Sequence, residues 1–273
     1  MSSYGQQKIS KVTTAHLQTM KNAGEKIACI TAYDYTMARL VDAAGVDMVL
    51  VGDSAANVMM GYDTTLPITL DDMITFSKGT VRGVSRALVI VDLPFGYYQG
   101  GIDKAVDSAV RVMKETGAAG LKLEGGAEIR EQISHILAAG IPVCGHLGLT
   151  PQSVNKFGGY GLRAKEEAEA ERLLNDAVML EELGCFAVVL EKIPAKLAER
   201  VTQHLSIPTI GIGAGSATDG QVLVVQDMLG MNDGFKPKFM RYFGHIGEAI
   251  TSSVADYVGV VKDSTYPSDD ESY

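Results

Sequence analysis

Apolar residues recur along this chain in short, nearly unbroken runs: KIACITAYD, VDMVLVGDS, ALVIVDLPF, GLKLEGG, IPVCGHLG, CFAVVLEKI, IPTIGIGAG and, less regularly, GQVLVVQDM. A strand covered on one face alternates apolar and polar positions, whereas a parallel strand covered on both faces loses that alternation. The runs therefore predict parallel strands. Between them the period changes to that of helices. Over Glu166–Leu183, Leu173, Ala177, Leu180 and Leu183 keep a three-to-four spacing while Glu167, Glu171 and Glu182 face water, and Gly184 stops the helix.

Eight strand candidates interleaved with helices is the count of a closed (β/α)8 barrel, an α/β fold that takes about 250 residues. The chain has 273 residues and no Pro/Gly/Ser-rich linker. The expectation is one (β/α)8 TIM barrel over residues 1–262, with an additional N-terminal helix from Thr13 to about Lys21. Ile246, Ile250, Val254 and Val258 predict a last helix, from His245 to Val261, that closes the domain. The tail 263–273, DSTYPSDDESY, is acidic and lacks an apolar face to offset the entropy of ordering, so a mobile end is expected.

Composition narrows the function. A net charge of -9 disfavours nonspecific binding to nucleic acid, which depends on cations replacing counterions along phosphates. No segment approaches the roughly 18 apolar residues of a membrane span, and MSSYGQQKISKVTT lacks a signal peptide's apolar stretch. No membrane partner and a cytoplasmic location are expected. Cys29, Cys144 and Cys185 are odd in number and embedded in apolar runs, which suits buried thiols rather than a disulfide framework or metal ligation.

The strand ends carry the chemistry. Three consecutive runs stop on an acid, at Asp53, Asp92 and Glu124, and parallel strands would bring these to the C-terminal rim of the sheet, where ligand sites gather. Singly, Gly52-Asp53-Ser54 reads as an Asx turn or helix cap. Together, three rim carboxylates point to one hard cation, and oxygen donors without thiolate or imidazole favour Mg2+ over zinc. Such a cation suits a 2-oxo acid, whose carbonyl it would polarise, easing removal of the neighbouring proton to form an enolate.

Lys122 shares a strand face with Glu124, two residues on, and either holds a substrate anion or neutralises the acids. Glu191 ends its own run and is the candidate general base, the alternative being an ion pair with Lys192 or Lys122. His146, ending IPVCGH, is placed to bond the reacting oxygen or to organise a carboxylate that does. His16, His135, His204 and His245 receive no catalytic role. The GIGAG run at Gly211–Gly215 lacks the spacing of a dinucleotide fingerprint and suits close backbone approach to a substrate. The connection from Ala55 to Pro67, with Met59 and Met60, is a candidate lid.

In order along the chain, ITAYD, VGDS, TLPIT, DLPF, KLEGG, PVCGHLGLTPQSVN, FGGY, Leu190-Glu191, IPTIGIGAG and TDGQ together resemble the ketopantoate hydroxymethyltransferase family, from about Ile27 to Phe239. The resemblance implies a TIM-barrel enzyme of pantothenate biosynthesis, binding one Mg2+ per subunit. It would move a one-carbon unit from 5,10-methylenetetrahydrofolate to 3-methyl-2-oxobutanoate, giving 2-dehydropantoate. It places metal ligands on Asp53, Asp92 and Glu124, and substrate contacts on Asp53, Ser54, Asp92 and Lys122. The catalytic base falls on Glu191, and the assembly implied is a homodecamer. The chain departs from the family pattern at Ala55-Ala56-Asn57 and Gly96-Tyr97, which bears on lid packing rather than on the acids. A lyase or mutase of related phosphoenolpyruvate-using barrels, or a noncatalytic 2-oxo acid binder, would share the same metal chemistry.

Overall fold

The structure is a computed structural model that describes residues 10–232 and 237–273. The chain packs as two compact units, Met1–Leu223 and Val224–Tyr273.

In the first unit all eight expected strands form: β1 (Ile27–Thr31), β2 (Met48–Val51), β3 (Leu88–Asp92), β4 (Gly120–Glu124), β5 (Val143–Gly148), β6 (Ala187–Glu191), β7 (Thr209–Ile212) and β8 (Gly220–Leu223). Each pairs in parallel with its neighbour, and β8 pairs with β1, so the sheet closes into a (β/α)8 TIM barrel. The helices of this unit are α1 (Thr14–Ala23), α2 (Tyr35–Ala43), α3 (Ala55–Val58), α4 (Leu70–Gly83), α5 (Ile102–Thr116), α6 (Arg130–Ala138), α7 (Val154–Phe157), α8 (Glu167–Leu183) and α9 (Ala195–His204). The crossover from β7 to β8, residues 213–219, carries no helix.

Local chemistry sets the helix ends. The Thr13 hydroxyl accepts from His16 N at 3.3 Å to start α1, and Gly24, at φ 71°, ends it in the left-handed region that glycine enters without cost. Thr69 and Asp72 exchange a capping box at the start of α4. On α8, Leu173, Ala177 and Leu180 are buried, as their spacing required, and Leu183 is partly so.

Strand parity separates inside from outside. Cys29, Met48, Leu50, Leu88, Ile90, Cys144, Ala187, Val189, Ile210 and Val222 form one buried cluster with Val12, Leu17 and Met20, so α1 closes the barrel's N-terminal end. Burying Leu17 completely stabilises that plug by roughly 1.5–3 kcal/mol. Continuing the same parity, Asp92 follows Ile90, His146 follows Cys144 and Glu191 follows Val189. The interior is therefore apolar at its base and polar at its C-terminal layer.

The connection after β2 holds the candidate lid residues from Ala55 to Pro67. It opens with α3, where Ala55 and Ala56 are fully buried, and only further on are Met59 and Met60 exposed. All three cysteines are unpaired and buried, and burial pushes the Cys185 thiol up to about 12, as inert core thiols require.

The second unit contains α10 (Val225–Met228) and α11 (Ile246–Lys262). The helix expected over His245–Val261 is thus present, and none of its residues is buried. Within the tail, Ser268 and Glu271 cap a short 3-10 turn at Asp269–Glu271. Among the described residues no helix is long and apolar enough to cross a membrane.

Candidate active site

Register places the polar layer. Asp92 on β3 lies beside Lys122 on β4, Glu124 beside His146 on β5, and Gly148 beside Glu191 on β6. Asp53 sits in the turn just past β2, where its backbone N–H donates to Asp92 Oδ2 at 3.0 Å. Gly52 permits this turn, since a Cβ there would stand 2.7 Å from Ser54 Oγ. Ser54 Oγ in turn meets the buried Tyr33 hydroxyl at 2.7 Å.

Lys122 is the hub of the cluster. Its Nζ is 3.1 Å from Asp92 Oδ1, 3.7 Å from Glu124 Oε1 and 3.0 Å from His146 Nδ1. An ammonium has no lone pair, so His146 Nδ1 is the acceptor and the imidazole proton resides on Nε2. That nitrogen is 3.3 Å from Glu191 Oε2, close to a hydrogen bond without completing one.

Electrostatics follow from burial of three carboxylates with one ammonium. Burial pushes Asp53 up to about 7, helped by the charge of Glu124, and pushes Asp92 up to about 7 against the opposing pull of Lys122. Glu124 is raised by the same burial. Burial lowers the Lys122 ammonium's proton affinity, but Asp92, Glu124 and Asp53 outweigh it and hold the group above the ordinary lysine range. His146 is pushed down to about 4 by burial and by Lys122, so it is neutral at physiological pH.

Two buried oxygens in this cluster, Asp92 Oδ1 and Glu124 Oε1, share the single Lys122 ammonium, at 3.1 and 3.7 Å. Three carboxylates against one ammonium leave an excess of two negative charges when all are ionised. A dication would complement that excess. Among the described residues, however, no group of three or more His, Cys, Asp or Glu side chains is already spaced as a metal site. The acids are gathered, with Lys122 between Asp92 and Glu124, but their oxygens do not converge on one point.

Sequence reading missed two neutral residues that hold the acids. Gln152, on the 3-10 turn after β5, donates its backbone N–H to Glu124 Oε2 at 2.9 Å and its side-chain amide to Asp53 Oδ2 at 2.8 Å. The buried Tyr98 hydroxyl accepts from Glu124 N at 3.0 Å. Both follow strand ends, which is the one sequence signal that could have drawn attention to them.

The family model for ketopantoate hydroxymethyltransferase matches residues 11–269. The chain belongs to the ketopantoate hydroxymethyltransferase family. Members of this ketopantoate hydroxymethyltransferase family include two similar bacterial proteins called 3-methyl-2-oxobutanoate hydroxymethyltransferase. That of Parabacteroides distasonis is 62% identical over 263 residues, covering 96% of each chain. That of Porphyromonas gingivalis is 61% identical over 273 residues, covering 100% of each. The chain is accordingly an enzyme, a hydroxymethyltransferase. Its fold also resembles 2,3-dimethylmalate lyase, a PEP mutase/isocitrate lyase superfamily member, at TM-score 0.60 and 18% identity over 95% of this chain and 91% of that one. Phosphonopyruvate hydrolase is similar at TM-score 0.61 and 11% identity, over 94% and 92%.

Proposed function

We propose that this hydroxymethyltransferase moves a one-carbon unit from 5,10-methylenetetrahydrofolate to the enolate of 3-methyl-2-oxobutanoate in a Mg2+-dependent reaction, giving 2-dehydropantoate. The observation that supports the metal reading is the burial of three carboxylates, Asp53, Asp92 and Glu124, in one cluster with a single ammonium, Lys122. Asp53, Asp92 and Glu124 would hold the ion. When bound, Mg2+ supplies a Lewis acid that draws charge from a 2-oxo acid's carbonyl.

The chain's own groups do the rest. Ser54 Oγ and Lys122 Nζ offer a hydroxyl and an ammonium to substrate oxygens, and both stand at the barrel mouth. Glu191 takes the C3 proton of the oxo acid. The Nε2–H of neutral His146 stands 3.3 Å from Glu191 Oε2, where a small shift completes a hydrogen bond that orients the base. The resulting C3 carbanion equivalent forms a bond to the methylene carbon, both bonds of that carbon to folate nitrogens break, water supplies the hydroxyl oxygen, and the C3 proton and one water proton end on the two nitrogens.

Product analysis tests this. Incubation with 3-methyl-2-oxobutanoate and Mg2+ should yield 2-dehydropantoate only when methylenetetrahydrofolate is present, with tetrahydrofolate released in equal amount. Cleavage of the oxo acid without folate would overturn the reading in favour of a lyase. We also propose a cytoplasmic homodecamer, following the family resemblance; sedimentation of the purified chain checks the assembly.

A further inference from the structure

Tyr33 is 2% exposed, yet its side chain ends at a polar partner. It lies two residues past Thr31, the last residue of β1, and the backbone is held on both sides of it. Ala32 N donates to the Leu50 carbonyl at 3.1 Å, and Asp34 caps α2 by accepting from Met37 N at 2.9 Å. These contacts fix where the ring enters the site. Its hydroxyl stands 2.7 Å from Ser54 Oγ, and the Thr31 hydroxyl bonds the same phenol. Burial holds the phenol above the ordinary tyrosine range against the pull of those two hydroxyls, so it keeps its proton and is no general base.

We propose that Tyr33 is a positioning residue that donates its phenolic proton to Ser54 Oγ and so commits the Ser54 hydroxyl to donate to an anionic oxygen of the substrate. The inference rests on the functional reading above, in which Ser54 meets an oxygen of the oxo acid. Each hydroxyl of the pair has one proton to give. If Ser54 spent its proton on the phenol, it would turn a lone pair to the substrate carboxylate and repel it. With the phenol donating, Ser54 keeps its proton for the carboxylate, and a charge-assisted bond of that kind is roughly twice as strong as a neutral one. The phenol is also the stronger acid of the two, hence the better donor, and a hydroxyl that accepts one bond donates the next more strongly. Ser54 itself is only partly buried, which leaves it within reach of a ligand.

The test is a double-mutant cycle in steady-state kinetics on the full chain with 3-methyl-2-oxobutanoate, with circular dichroism and urea midpoints to verify folding. Tyr33→Phe keeps the buried ring and deletes the hydroxyl alone. It should raise KM for the oxo acid about 3–10-fold, by a larger factor than it lowers kcat, with KM for methylenetetrahydrofolate within about twofold of the parent. Ser54→Ala should raise the same KM about tenfold or more. Because Tyr33 acts through Ser54, the double variant should match Ser54→Ala within about twofold. An unchanged or lowered KM in Tyr33→Phe overturns the proposal, and a lowered one would show that Ser54 donates to the phenol. Effects that multiply in the double variant overturn it as well, since Tyr33 would then act without Ser54, and so does a Ser54→Ala variant with the parent KM. A parent chain that turns over no 3-methyl-2-oxobutanoate overturns the functional reading and this inference together.

Discussion

Lys122 Nζ stands 3.0 Å from His146 Nδ1, and this contact settles which imidazole nitrogen carries the proton. Because the ammonium can only donate, Nε2–H is left to face Glu191 Oε2 at 3.3 Å. The chain Lys122, His146, Glu191 thereby links the acid cluster to the proposed base. His146→Ala should lower kcat about 10–100-fold while leaving KM for the oxo acid within a few fold, because it removes orientation of the base rather than substrate contacts. Steady-state kinetics check this; a change in KM alone would count against it.

The metal-free chain should lose stability as pH rises. Asp53 and Asp92 have native pKa values pushed up to about 7, above the ordinary aspartate range. The native state then holds more protons than the unfolded one, so these groups' contribution is present below about pH 4 and lost as pH climbs through 7. Urea unfolding in chelator should show a smaller midpoint at pH 7.5 than at pH 5, and Asp92→Asn should flatten that slope. Saturating Mg2+ should also suppress it, because the ion binds the ionised native form.

Gly148 holds the β5 end against β6. Its φ is 93°, and a Cβ would lie 2.3 Å from the Glu191 carbonyl oxygen, which accepts from Leu149 N at 2.8 Å. Gly148→Ala should destabilise the fold by about 1–3 kcal/mol from backbone strain alone, and displace Glu191 enough to reduce kcat as well. Denaturant midpoints and turnover measured on the same preparation test both parts.

At the opposite end, Leu17 is fully buried where α1 closes the barrel. Leu17→Ala should cost about 2–5 kcal/mol of stability while leaving kcat per folded molecule near the parent value, since the cavity lies below the polar layer. A large loss of kcat in the folded variant would show that the plug and the catalytic layer are coupled.

The barrel was legible because strands covered on both faces must be apolar throughout, and each of the eight runs became a strand. The rim acids were legible for the complementary reason: a charge that ends an apolar run needs partners, and Asp92, Lys122, Glu124, His146 and Glu191 share one interior parity. Gln152 and Tyr98 were not, because neutral residues in connections acquire meaning only from what the fold sets beside them. The apolar period of α11 likewise foretold a helix without foretelling what its face meets.

The most direct test follows the C3 hydrogen of 3-methyl-2-oxobutanoate by proton NMR in D2O with the folded chain, Mg2+ and tetrahydrofolate. The account predicts exchange for deuterium, abolished by chelation and slowed at least about 10²-fold in Glu191→Gln. A folded, Mg2+-saturated chain that leaves the C3 hydrogen in place, or a Glu191→Gln variant that exchanges it at the parent rate, would contradict it.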